Sequence, residues 1–171
     1  MITIRKEQPG DAEQVRIVNT RAFERAAEAE IVDTLRKACP EGVSFVAVYR
    51  NKIVGHILFT PAVVASKEQE IKGMGLAPLA VLPEFQRQGI GSQLIQAGLD
   101  EMHRVEQPFV IVLGHPEYYP RFGFVRASRY GIVSEYEGVP DEAFMILVFD
   151  AAALAGVSGV GNYRPVFAVA V

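Results

Sequence analysis

The sequence contains a single cysteine, Cys39, so no disulfide can staple the chain internally. Nor is there a surplus of positive charge: 17 Lys and Arg face 20 Asp and Glu, for a net charge of −3. That balance argues against nucleic acid or an anionic membrane as the main partner. Apolar runs stop well short of the ~20 residues that a membrane span needs, and residues 1–6 lack the apolar core of a signal peptide. No grouping of His, Cys, Asp and Glu has metal-ligand spacing, so no metal is implied. Internal repeats, linkers and low-complexity segments are also missing. What remains is the profile of one cytoplasmic domain, residues 1–171. Half of its residues are apolar, enough to bury a core without staples.

In chain order, Ile2-Thr3-Ile4 alternates as a short strand. Asp11 with Gln14 three residues on has capping-box spacing and opens a helix whose inner face is Val15, Val18 and Phe23. A second helix spans about 27–38, with Ile31, Val32 and Leu35 inward and Glu28, Glu30 and Lys37 outward. A hairpin follows: 45–49 and 53–64 are strands about a tight turn at Asn51-Lys52. The next strand, 71–82, contains Pro78, which marks either a misread strand or a bulge where the strand peels from its neighbour. Residues 109–113 are wholly apolar, as in a buried parallel strand, and 145–149 form another strand. Beyond Ala151 no period is legible. Gly159-Val160-Gly161 reads as turn chemistry and Val166-Phe167 as a last short strand.

The organising stretch is Leu79-Ala80-Val81-Leu82-Pro83-Glu84-Phe85-Gln86-Arg87-Gln88-Gly89-Ile90-Gly91-Ser92. An apolar strand ends at Pro83, a glycine-bearing turn follows, and a helix begins at once. Its apolar positions, Ile90, Leu94, Ile95, Leu99 and Met102, have the three-and-four spacing of one buried face. A strand, a glycine turn and a helix N-terminus form an anion site. The first amides of a helix lack partners within it, and glycine lets the backbone approach a phosphate. No Gly-Lys-Ser/Thr follows, which excludes a Walker A loop, and Leu94 stands where the dinucleotide fingerprint has its third glycine.

Gln86-x-x-Gly89-x-Gly91 after such a strand resembles the signature of the GNAT superfamily of N-acetyltransferases. Tyr119-Pro-Arg-Phe-Gly123-Phe124, about 30 residues on, resembles a second family motif in the right order. The run from Gly114 to Phe124 is also similar to a branch of acetyltransferases of unassigned substrate. The resemblance implies an α/β fold with a mixed, mostly antiparallel central sheet, splayed between its fourth and fifth strands and flanked by helices on both faces. It further implies acetyl-CoA as cosubstrate. The diphosphate would lie among Gln86, Arg87, Gln88, Gly89, Gly91 and Ser92, and the pantetheine arm along the backbone of Leu79, Ala80 and Val81. Tyr119 falls on the family's position for the acid that serves the departing sulfur.

The implied reaction is direct transfer to a primary amine, of a small molecule or a protein N-terminus, in a ternary complex. Positioning can lower much of that barrier, so no covalent enzyme intermediate is needed. A tyrosine at pKa ~10 is a weaker acid than a thiol at ~8.5, so hydrogen bonding to the developing thiolate is the larger part of the role. Residues 74–77 offer no carboxylate as base. Glu28 and His115 are candidates on the acceptor side, with a solvated helix carboxylate and a buried structural histidine as the alternative readings. A non-catalytic acyl-CoA-binding sensor or interaction module is the competing function, and the sequence leaves a homodimer open.

Overall fold

The computed structural model describes residues Met1–Val171, which fall into two compact units. The first comprises Met1–Phe59, Ala77–Glu101 and Val166–Ala170; the second comprises Thr60–Leu76 and Met102–Pro165. Two long strands, β3 (Lys52–Ala65) and β4 (Glu70–Val81), run through both.

In the first unit β1 (Thr3–Lys6) pairs antiparallel with β2 (Val43–Tyr49), and β2 pairs antiparallel with β3. The hairpin turn puts both Arg50 and Asn51 at positive φ, 48° and 62°, the geometry whose twist suits a two-residue connection. Three helices belong here: α1 (Ala12–Phe23), α2 (Ala27–Ala38) and most of α3 (Ile90–Arg104). The apolar positions named for α3 are its buried face, with Leu94 and Ile95 fully enclosed. The helix start differs from the expected capping box. Asp11 accepts from Gln8 N–H at 2.7 Å and from Arg5 at 2.7 and 3.1 Å, while Gln14 turns to accept from Ile53 N–H. The box thus closes one turn earlier, around Pro9–Asp11. Glu28 departs too: it is buried, not outward.

A polar chain crosses this unit's interior. Asn19 donates its amide to His56 Nδ1 at 3.0 Å, which leaves the ring proton on Nε2, 2.9 Å from Ser44 Oγ. Ser44 donates to Glu7 at 2.8 Å, and Glu7 accepts from Arg36 at 2.8 Å. His56 is wholly buried, and that burial lowers its pKa to about 4.

In the second unit β4 runs parallel to β5 (Phe109–Leu113), β5 antiparallel to β8 (Phe144–Val148), and β8 antiparallel to β6 (Val125–Arg126). The β4–β5 register is short, Met74–Leu76 opposite Val110–Val112. Strand β4 itself continues through Pro78, across a cis Ala77–Pro78 peptide. The tail is the main correction. Gly159–Asn162 is a strand, β9, antiparallel to the end of β3 and parallel to β7 (Ile132–Ser134); Pro165–Ala170 is a 3-10 helix, not a strand. The glycines are there for close packing: a Cβ on Gly161 would stand 2.7 Å from the Phe144 ring, and one on Gly159 would strike the Ala65 carbonyl. No helix is long and apolar enough to cross a membrane.

Candidate active site

The turn between β4 and α3 is held by its own side chains. Leu82 N–H donates to Val54 O at 2.9 Å, and Pro83–Phe85 make one 3-10 turn. Arg21 on α1 grips Glu84 through two bonds of 2.8 Å. Gln86 Nε2 donates back to Val81 O at 2.9 Å, and Gln88 Nε2 to Glu84 O at 3.3 Å. Both glutamines therefore brace the loop with their side chains, and Val81's carbonyl is already engaged. Leu79 and Val81 are half-buried, and Ala80 is buried.

Two positive-φ residues then alternate, Arg87 at 61° and Gly89 at 84°. Such reversals turn successive amides toward one side, forming an anion-binding concavity. Helical bonding starts with Gln93 N–H to Gly89 O at 3.1 Å, so helix geometry offers the amides of Ile90 and Gly91 outward along the axis. A Cβ built on Gly89 would meet nothing within 4 Å. The space a phosphate would enter is open, and residues 86–89 are exposed.

Tyr119 belongs to the second unit, at the start of the 3-10 turn Tyr119–Phe122. Its ring lies against Gly114, just past β5, where a Cβ would be 2.5 Å from Cε2. Edge-on packing against Tyr118 at 5.3 Å and Phe124 at 5.7 Å fixes it. Burial drives its hydroxyl pKa well above the usual tyrosine value, with a smaller contribution from Tyr118. The group is therefore a protonated hydrogen-bond donor throughout the physiological range. His115 is exposed, not buried; its carbonyl accepts from the amides of Tyr118 and Tyr119.

Glu28 lies in the first unit and is held bidentately by Arg25, at 2.9 and 2.5 Å. Arg25 also donates to Ala170 O at 2.9 Å.

Three further side chains escaped sequence reasoning. Tyr163 is buried with its hydroxyl at the end of the β4–β5 register: it donates to Leu76 O at 3.0 Å and accepts from Leu113 N–H at 3.1 Å. Glu135 accepts Tyr163 N–H at 2.7 Å, and its burial raises its pKa. Tyr136 has a buried hydroxyl without a hydrogen-bond partner.

The first unit thus carries an open loop of amides after β4, and the second a buried phenol just past β5. Residues 3–127 match the family model described as acetyltransferase (GNAT) domain, and the chain belongs to that family. It is 33% identical over 165 residues to the uncharacterized N-acetyltransferase YhbS of Escherichia coli K12, covering 96% of this chain and 97% of YhbS. Identity to YjhQ of the same organism, also an uncharacterized N-acetyltransferase, is 42% over 116 residues, 67% of this chain and 64% of YjhQ. The chain thus spans less than two thirds of YjhQ. Among solved structures, E. coli YhbS in complex with CoA superposes with a TM-score of 0.88 at 32% identity, covering 97% of this chain and 91% of YhbS. A GNAT family acetyltransferase from Brucella melitensis in complex with acetyl-CoA gives 0.77 at 34% identity, with 98% of each chain covered.

Proposed function

We propose that this acyltransferase moves an acetyl group from acetyl-CoA directly to a primary amine, of a small molecule or a protein N-terminus. The observation that carries this is the Arg87–Gly89 turn, with its paired positive φ angles and open space in front of Gly89. Main-chain amides of 88–92 hold the diphosphate there, with Arg87 adding charge. The arm lies along Leu79, Ala80 and Val81, with Val81's carbonyl kept by Gln86.

The acceptor amine must shed a proton before it attacks. At reference values of ~8 for an α-amino group and ~10.4 for lysine, the first is partly neutral unaided and the second needs a base. Glu28 and His115 remain acceptor-side candidates, and Glu135, whose carboxyl pKa burial raises, joins them as a candidate base. The neutral nitrogen adds to the thioester carbonyl and gives up its second proton to the base or to solvent, the carbon–sulfur bond breaks, and the electron pair leaves on sulfur. Tyr119 donates a hydrogen bond to that thiolate and keeps its proton, since burial makes it the weaker acid. The thiolate is protonated from solvent on release.

A panel of amines scored by thiol release tests this reading: turnover with at least one amine is expected. Strand β4 has no carboxylate at residues 74–77, which favours the acyl-CoA sensor as second reading. CoA binding without thiol release from any amine would establish the sensor instead.

A further inference from the structure

The tail's contribution is a single phenol placed between two strands. We infer that Tyr163 is the residue that ends the β4–β5 ladder, its hydroxyl taking Leu76 O on one strand and Leu113 N–H on the other. Parallel strands continue to pair as long as carbonyls and amides face each other. Here Leu76 O and Leu113 N–H, one on each strand, are both bonded to the same hydroxyl, at 3.0 and 3.1 Å, with Ile111 O at 3.4 Å. A phenol between them satisfies both groups, as buried backbone requires, without drawing the strands together.

The placement is built from several directions. The Tyr163 ring lies on Gly75, where a Cβ would be 2.7 Å from Cε1. Its amide is tied to Glu135 at 2.7 Å, and β9 just before it is locked to β3 and β7. Burial keeps the hydroxyl protonated, hence a donor to Leu76 O at any physiological pH. Tyr163 is a positioning residue: it keeps β4's edge available for the arm of the cosubstrate and touches no reacting atom. This inference rests on the reading of β4 as the arm's rest.

The test compares two ligands on wild type and Tyr163→Phe: CoA, and 3′-phospho-ADP, its nucleotide half without the arm. Calorimetry should show CoA about tenfold weaker in the variant, from the loss of the hydroxyl's bonds to Leu76 O and Leu113 N–H, with 3′-phospho-ADP unchanged. The KM for acetyl-CoA should rise with kcat little altered. Unchanged CoA affinity, or an equal loss for both ligands in a folded variant, overturns the inference. Failure of wild type to bind CoA at all would instead overturn the underlying reading. Should the variant not fold, hydrogen exchange on wild type decides. Leu113's amide should be protected without ligand and gain nothing from CoA; an amide that is exposed until CoA arrives contradicts the assignment.

Discussion

The loop at 86–92 and the phenolic group around Tyr119 and Tyr163 solve opposite problems with the same backbone chemistry. The loop exposes amides and braces itself with Gln86, Gln88 and the Arg21–Glu84 pair, so that an anion can complete it. The phenols do the reverse: they are buried, seated on Gly114 and Gly75, and Tyr163 spends its hydroxyl on the protein's own backbone. A binding surface must leave hydrogen-bonding groups unfilled, whereas a surface that shapes a gap must fill them. Substitutions in the loop should therefore cost ligand and spare the fold, while those in the buried phenols should act through turnover at Tyr119 and through strand geometry at Tyr163.

The sharpest way to break that contrast is Gly89→Val. Its side chain enters open space that the proposed function assigns to the phosphate, at a φ of 84° that β-branched residues avoid. Losing two charge-assisted bonds at roughly 2 kcal/mol each should weaken CoA about a thousandfold by calorimetry, with the melting temperature shifted by only a few degrees. An intact CoA affinity would place the ligand elsewhere.

Acid should act on the interior instead. His56 has a folded pKa of about 4, below the ordinary 6.5, so the unfolded chain takes up the proton first as pH falls. His56's contribution is therefore complete above pH 6.5, is lost between there and about 4, and amounts to roughly 3 kcal/mol. Denaturant titrations across that window check this, and the slope should vanish in a folded His56→Gln variant. A slope that survives the substitution would assign the acid sensitivity to other groups.

Smaller effects separate the phenols from the loop. Tyr119→Phe should lower kcat on the order of tenfold and leave CoA affinity within about twofold, because in the proposed reaction only the developing thiolate uses that bond. Full turnover at every pH would remove the role. Arg87→Ala should weaken CoA about threefold, and less in high salt, as befits an exposed charge near a phosphate.

How much of this was legible depends on sequence distance. The strand, turn and helix from Leu79 to Leu94 are local: apolar spacing fixes the buried face of α3, and the glycines mark the turn. The hairpin, α2 and β5 were read for the same reason. Tyr163 could not be: its partner Leu76 is 87 residues away, and nothing near it has a period. Gly159 and Gly161 looked like turn residues because glycine's two uses, bending and close packing, leave the same mark; only the Ala65 carbonyl and the Phe144 ring distinguish them. His115 and Glu28 carried opposite errors, the one expected inside and found exposed, the other expected on the surface and found buried beneath Arg25. Charge on a helix predicts solvent unless a partner three residues away neutralises it.

The most direct test of the central claim is a crystal structure of the wild-type protein soaked with acetyl-CoA. The diphosphate oxygens should lie within hydrogen-bonding distance of the main-chain amides of residues 88–92. Density for the nucleotide at any other surface, or an unchanged loop with no ligand at saturating concentration, would contradict it.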